Sequence, residues 1–504
     1  MKKLTLIVKS HWLLLGIVLM SFCIGIYHLD TLPGEMWGDA IAHYHLAQQV
    51  MHGDYFFDYR FGGDGPIYTY CVVFVHFLFG LSFFTLKFTS VIIAVVFVFV
   101  MYHFAYALFQ KKEIAFVTAF LSSVSFYTIV FARQPHARML VPLFIVVAIF
   151  FAMKKKMWFA GLFLGLGMYT QASYWAMPFV FLRRYKIMLT GFGVSLPLLM
   201  SFATGTSGFF TDTSYFGEKL AVSSHLSVDA IIGAISHNII ANFLSFFLTG
   251  DGGFRLNVPQ SPHFDIVSAV FFFIGFILLV HRIYTKKHWY LLEFILLPLF
   301  IVQIPSFLDI HNPQAQPNIG RMIGIIPFVY VSIAYGLTIS LQFVTKKLVK
   351  QTIMRKYISV FLLVIFLSMI ATLNIYKYFI LYPDTLPNHN TPFGKIIAQK
   401  IDSYPQSTSF IIIGSGWGEW GQPEQDAIAL SRTKPHELLF IQPPVNPSVL
   451  CQNIVLKRGN SVFIINPLDE KSLAALQSCG ITLKRRVVHK NNDDIADFIE
   501  IKSH

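Results

Sequence analysis

Between the first two hydrophobic runs of this chain, from Leu32 to Tyr70, stand Glu35, Asp39, Asp54, Asp58 and Asp64, with His43, His45 and His52 among them. Only 13% of the 504 residues are charged, so this density of acids is out of proportion. Ionisable groups beside a membrane are costly unless they bind an ion, a partner or a substrate. Asp39 falls on an amphipathic helix expected from about Gly38 to His52, whose apolar side is Ala40, Ile41, Tyr44, Leu46 and Val50. It is either the N-cap of that helix or a carboxylate that binds a metal or takes a proton from an acceptor hydroxyl. Asp64 precedes Gly65-Pro66 at the mouth of the next hydrophobic run, where turn chemistry is the alternative to function.

Five later stretches carry chemistry-bearing residues. Phe131-Ala-Arg-Gln-Pro-His-Ala-Arg138 sets Arg133, His136 and Arg138 at one boundary. Arginine suits phosphate because its planar fork binds two oxygens at once, although interface arginines also snorkel without further purpose. Gly165-Leu-Gly-Met-Tyr-Thr-Gln-Ala-Ser-Tyr174 interrupts a hydrophobic run; its glycines suit close helix packing, and Tyr169 is the candidate for substrate contact. The turn-rich Gly250–Asp265 loop offers Arg255, His263 and Asp265, and the His311–Arg321 loop ends on Arg321. Gly414-Ser-Gly-Trp-Gly-Glu-Trp-Gly421 is a glycine-rich loop or a pair of tryptophans for stacking on sugar rings.

The elements that must position these residues are membrane spans. The chain is 55% hydrophobic, with 52 Phe and 22 Tyr, and its apolar runs fit roughly 11–13 spans of about 20 residues. The first, after Lys2, Lys3 and Lys9, is too long for a signal peptide and reads as a span entered from the cytoplasm. Others are expected near 66–85, 88–109, 114–131, 139–153, 157–182, 187–203, 266–281, 288–305, 321–342 and 357–379, with an additional apolar stretch at 230–249. The net charge of +13 does not signal nucleic acid, because the basic residues cluster between spans as positive-inside loops do. Before Lys154 the alternation fails: one segment within 66–109 does not span, or Lys111-Lys112 breaks the rule.

This bookkeeping puts residues 30–65, 132–138, 204–265 and 306–320 on the outer face, together with everything after 380. From residue 381 the composition shifts to that of a small α/β domain, with strands at Phe410–Gly414, Ser461–Asn466, 481–488 and 496–502 and helices at 392–402 and 469–477. Cys451 and Cys479 could bridge if that domain faces an oxidising compartment, which spacing alone does not prove. Metal-thiolate spacing, a phosphate-cradling nucleotide loop and a nucleophile elbow are all missing from the sequence.

Several segments resemble the C-type membrane glycosyltransferases, specifically the bacterial relatives of protein O-mannosyltransferase and aminoarabinose transferase (family 39). The resemblance rests on Gly38-Asp39-Ala40, Gly53-Asp54, Asp64-Gly65-Pro66, Ala132-Arg133, Arg138-Met-Leu-Val-Pro142, Gly165-Leu-Gly-Met-Tyr-Thr170, Arg255-Leu-Asn-Val-Pro259, Pro262-His-Phe-Asp265 and Arg321-Met-Ile-Gly-Ile-Ile-Pro327. The segments come in the family's order and cover roughly residues 12–380. The family's paired acids are reduced to one here, with Gly38 at the other position.

The resemblance implies a mainly α, polytopic transmembrane bundle over 1–380, with an extracytoplasmic α/β domain over 381–504. It implies transfer of a hexosyl or pentosyl unit from a polyprenyl-phosphate donor to an acceptor hydroxyl at the outer face of the inner (cytoplasmic) membrane, with inversion. Asp39 would be the base, Arg133, Arg138 and Arg321 would bind the donor phosphate, and Tyr169, Arg255 and His263 would contact substrate. Asp64 would hold a divalent metal cation. The acceptor is a lipid, a glycan or a protein; the partners also include membrane lipids, and no nucleic acid. A transporter or flippase for a lipid-linked or anionic solute is the rival from another class, weakened by the lack of an internal repeat; a catalytically dead scaffold is a third.

Overall fold

The structure is a computed structural model that describes residues 2–34, 38–60, 63–204, 226–310, 316–386, 390–413, 417, 425–441, 451, 461–479, 483–490 and 493–501. The fold is mainly helical, with one five-stranded sheet near the C-terminus. It divides into two units, one of residues 1–29 and 42–385, the other of 30–41 and 386–504.

In the larger unit, six helices among the described residues are long and apolar enough to cross a bilayer: Phe83–Phe109, Tyr185–Ala203, Ile266–Lys286, Trp289–Phe307, Ile319–Leu348 and Thr352–Thr385. Lys112–Val124 with Phe126–Ala132 makes a seventh, bent by 54°. The expected polytopic helical bundle is present, and some of its apolar runs form helices shorter than a bilayer. Ile67–Phe79, for example, has 13 residues, about 20 Å at 1.5 Å per residue against roughly 30 Å of hydrocarbon. Hydropathy finds the apolar run; it does not say how much of the run is helix.

The helix breaks are repaired by named side chains. At the bend after Val124, Phe126 N–H donates to Asn374 Oδ1 at 2.9 Å. Pro197 lies inside Tyr185–Ala203, and there the Tyr169 hydroxyl enters the helix ladder. It donates to Val194 O at 3.0 Å and accepts from Leu198 N–H at 3.3 Å, the two groups that pair with each other in a regular helix. At the end of the first helix, Lys2–Ile26, Arg133 donates to the carbonyls of Ile24 and Gly25 at 2.9 and 2.8 Å. Two spans approach closely through glycines: a Cβ on Gly275 would lie 1.9 Å from Ser332 O.

The smaller unit holds the sheet. Strand β1 is Ser409–Ile413, β2 Leu438–Ile441, β3 Ser461–Ile465, β4 Leu483–Lys490 and β5 Asp493–Ile501, in the order β2-β1-β3-β5-β4. β1 runs parallel to β2 and β3, and β5 antiparallel to β3 and β4. Alternation along β1 serves two layers: Phe410 and Ile412 pack with Phe393, Ile397 and Ile401 of one helix, Ile411 and Ile413 with Ala475 and Leu476 of another. β2 and the helix Gln425–Ser431 were not expected from the sequence; at four residues, all apolar, the strand is short and shows no alternation to read. Cys451 and Cys479 form a disulfide.

Candidate active site and metal-ligand group

The chemistry of the larger unit converges on Asp64, which is buried. His43 Nε2 lies 2.9 Å from Asp64 Oδ2, and His136 Nδ1 lies 3.1 Å from the same oxygen. His43 comes from the helix Gly38–Met51 and His136 from the turn before the helical segment Ala137–Met153. The two rings are 5.7 Å apart, edge to face. Burial first, then the charges of Arg138 and Arg255 and the nearby His43, hold the His136 imidazole well below its usual range. The neutral ring is the form that ligates metal.

Asp64 is set by the segment Met168–Tyr174 that follows the helix Met157–Gly167. Gly65 N–H donates to Thr170 O at 2.8 Å, Ala172 N–H to Gly63 O at 2.8 Å, and Asp64 pairs with Gln171 in an isolated β-bridge. A Cβ on Gly65 would lie 2.1 Å from Tyr169 O, so the two backbones touch where only glycine fits. The Gly165–Tyr174 motif is therefore the bed on which Asp64 lies.

One ligand atom from each of His43, Asp64 and His136 lies within 4.8 Å of the others. Zinc–nitrogen and zinc–oxygen bonds of about 2.0–2.2 Å in tetrahedral geometry put ligand atoms roughly 3.3 Å apart, so the spacing and the two-imidazole, one-carboxylate chemistry fit a divalent cation.

Two arginines stand near this group, and one of them joins it to a third near Asp251. Arg138 and Arg255 act electrostatically on His136, and Arg138 and Arg321 on Asp251. Asp251 is buried, accepts from Gly253 N–H at 2.7 Å and Ile319 N–H at 3.2 Å, and is pushed up to about 6 by burial against the opposing pull of those bonds and arginines. Arg321 forms an ion pair with Asp309. Asp309 accepts from Gln316 at 2.8 Å, and its carbonyl accepts from Asn238 at 2.9 Å, so a chain of polar bonds aims Arg321.

The remaining contacts of the expected site residues are these. Arg133 is wholly buried, caps the first helix and donates to Tyr378 OH at 3.0 Å, with its guanidinium over the Tyr378 and Phe379 rings. Tyr169 gives its hydroxyl to the Pro197 break. His263 is buried, and its Nε2 accepts from Asp251 N–H at 3.1 Å; burial and Lys377 hold its ring well below its usual range. The carbonyl of Arg255 accepts from Tyr382 OH at 2.6 Å, which fixes its backbone. Asp39 is half-buried in the first turn of Gly38–Met51, in the part of that helix that belongs to the smaller unit. Trp417 is fully buried in the core of that unit, so it is no platform for a sugar; Trp420 and Glu35 lie outside the described residues. Sequence reasoning did not find His43 and His136 as partners of Asp64, nor Asp251 and Asp309. Their one signal was company: His136 stands between two arginines and Asp251 in a glycine turn.

No protein-family model matches the chain, and no curated protein does. Solved structures do. ArnT from Cupriavidus metallidurans in the apo state matches with a TM-score of 0.57 at 13% identity, over 98% of each chain. The same protein bound to undecaprenyl phosphate gives 0.56 at 13%, again over 98% of each. The oligosaccharyltransferase AglB from Archaeoglobus fulgidus, in complex with an inhibitory peptide and a dolichol-phosphate, gives 0.46 at 14%, over 91% of this chain and 70% of that one, a likeness too loose to argue from. With its apolar helices and its C-terminal sheet, the chain is a multi-pass membrane protein with the C-type membrane glycosyltransferase fold.

Proposed function

We propose that this protein is a glycosyltransferase that moves a sugar from a polyprenyl-phosphate donor onto an acceptor hydroxyl at the outer face of the cytoplasmic membrane. The observation that carries the reading is the set of Arg138 and Arg255 near His136, with Arg138 and Arg321 near Asp251, in a chain that shares its fold end to end with a protein crystallised with undecaprenyl phosphate. Asp39 takes the proton of the acceptor hydroxyl as its oxygen attacks the anomeric carbon. The bond to the phosphate oxygen breaks on the opposite face, the configuration inverts, and the polyprenyl phosphate leaves with the bonding pair. Arg138 and Arg321 neutralise the charge that develops on it. A divalent cation held by His43, Asp64 and His136 would supply Lewis-acid stabilisation of that same charge.

Arg133 is assigned to capping rather than to phosphate, because its donors already serve Ile24, Gly25 and Tyr378. The disulfide in the smaller unit supports an extracytoplasmic position for residues 386–504. The donor sugar is a hexosyl or pentosyl unit, and the acceptor a lipid, a glycan or a protein.

The test uses the purified protein in lipid with a panel of radiolabelled polyprenyl-phosphate sugars, wild type against Asp39→Asn. Transfer from one donor is expected in the wild type and lost in the variant, with donor binding retained. Donor binding without turnover in the wild type would overturn the enzyme reading in favour of a carrier.

A further inference from the structure

We propose that Asn390 is a positioning residue through which the C-terminal unit holds the segment carrying Asp39; this rests on the reading of Asp39 as the base. Residues 30–41 belong to the same compact unit as 386–504, although most of the membrane unit separates them in sequence. A side-chain amide used at both ends ties them. Asn390 Oδ1 accepts from Gly34 N–H, and Asn390 Nδ2 donates to Thr31 O at 2.9 Å. A Cβ on Gly34 would lie 2.5 Å from Asn390 O and 3.2 Å from Asn390 Oδ1, so the close approach requires glycine there.

Asn390 has a φ of 63°, in the left-handed region that glycine and asparagine tolerate best. Of those two, only asparagine also offers a donor and an acceptor. The residue type is thus selected twice, once by its backbone and once by the turn it grips. Downstream of that turn, the helix carrying Asp39 begins at Gly38 with Ala40 and Ile41 buried. A base misplaced by about 1 Å costs on the order of 100-fold in rate, so the grip on 31–34 acts on catalysis without touching substrate.

The experiment uses the full chain in lipid, with Asn390→Gly and Asn390→Asp. Glycine keeps the left-handed backbone and deletes the amide; aspartate keeps the acceptor for Gly34 N–H and loses the donor for Thr31 O. Asn390→Gly is expected to lower kcat on the order of 10- to 100-fold, to leave the donor KM within about twofold, and to speed amide hydrogen exchange over residues 31–41 but not in β1 and β3. Asn390→Asp is expected to fall between. Unchanged exchange over 31–41 in Asn390→Gly would overturn the clamp whatever the rate, as would loss of protection in β1 and β3 alongside it, which marks an unfolded unit. A wild-type kcat in Asn390→Gly, with Asp39→Asn inactive, overturns the positioning role alone. Asp39→Asn turning over at the wild-type rate overturns the base, and the exchange data then judge the clamp by themselves.

Discussion

His43 Nε2 and Asp64 Oδ2 lie 2.9 Å apart, both side chains buried, although 21 positions and a helix end separate them in the chain. A buried carboxylate facing two imidazoles is a group whose chemistry depends on what shares it. Asp64→Asn keeps the shape and removes the charge. Zinc retained after purification, measured by elemental mass spectrometry, is expected to fall to background, and transfer to fall on the order of 100-fold or more. Undiminished zinc in the variant would move any cation elsewhere.

Gly65 touches the backbone of Tyr169 at a distance no side chain survives. Gly65→Ala is expected to destabilise the protein by about 1–3 kcal/mol or more, because the neighbour is backbone and cannot rotate away. Thermal unfolding in detergent measures the cost. Zinc content should fall with it, since the same contact seats Asp64.

Tyr169 separates a contact with substrate from a contact within the fold. Tyr169→Phe leaves Val194 O and Leu198 N–H without the hydroxyl that bridges them at Pro197. The expected loss is about 1–3 kcal/mol of stability with the donor KM unchanged. A raised KM at unchanged stability would restore the substrate role.

Asp251 supplies a pH dependence. Its carboxyl ordinarily titrates near 3.8 and is pushed up to about 6 in the fold, where Arg138, Arg321, Tyr127 and His263 face it. Between those values the folded protein keeps a proton that the unfolded chain has lost. The stability contributed by the group is therefore fully present below about pH 4 and lost as pH rises through about 6, a change of about 3 kcal/mol. Melting temperatures from pH 4.5 to 7.5 should fall with rising pH more steeply in the wild type than in Asp251→Asn. Parallel curves would remove the assignment.

The sequence showed the fold class through apolar runs and ordered motifs, and most of the C-terminal strands as short continuous apolar runs between polar segments. Which arginine does what was not legible. Arg133 and Arg138 stand in one motif, yet one turns back to the carbonyls of the first helix and the other towards Asp251 and His136. Nothing local distinguishes them, because the partners come from other helices. Tyr169 was visible as an oddity in a hydrophobic run, but its use depends on Pro197, a break that lies on the following helix. Asp64 was legible as a turn residue and as a ligand; its burial between two imidazoles was not, since that burial is a product of packing.

The bond between Gly34 and Asn390 also sets a clock. Their positions are 356 residues apart, and at about 5–20 residues per second a ribosome needs roughly 20–70 s to cover that interval. Through that time the first helices are already threading into the bilayer while the turn at 31–34 waits for a partner that has not been made. A nascent chain therefore cannot close the turn at 31–34 on Asn390 until the last domain has been made.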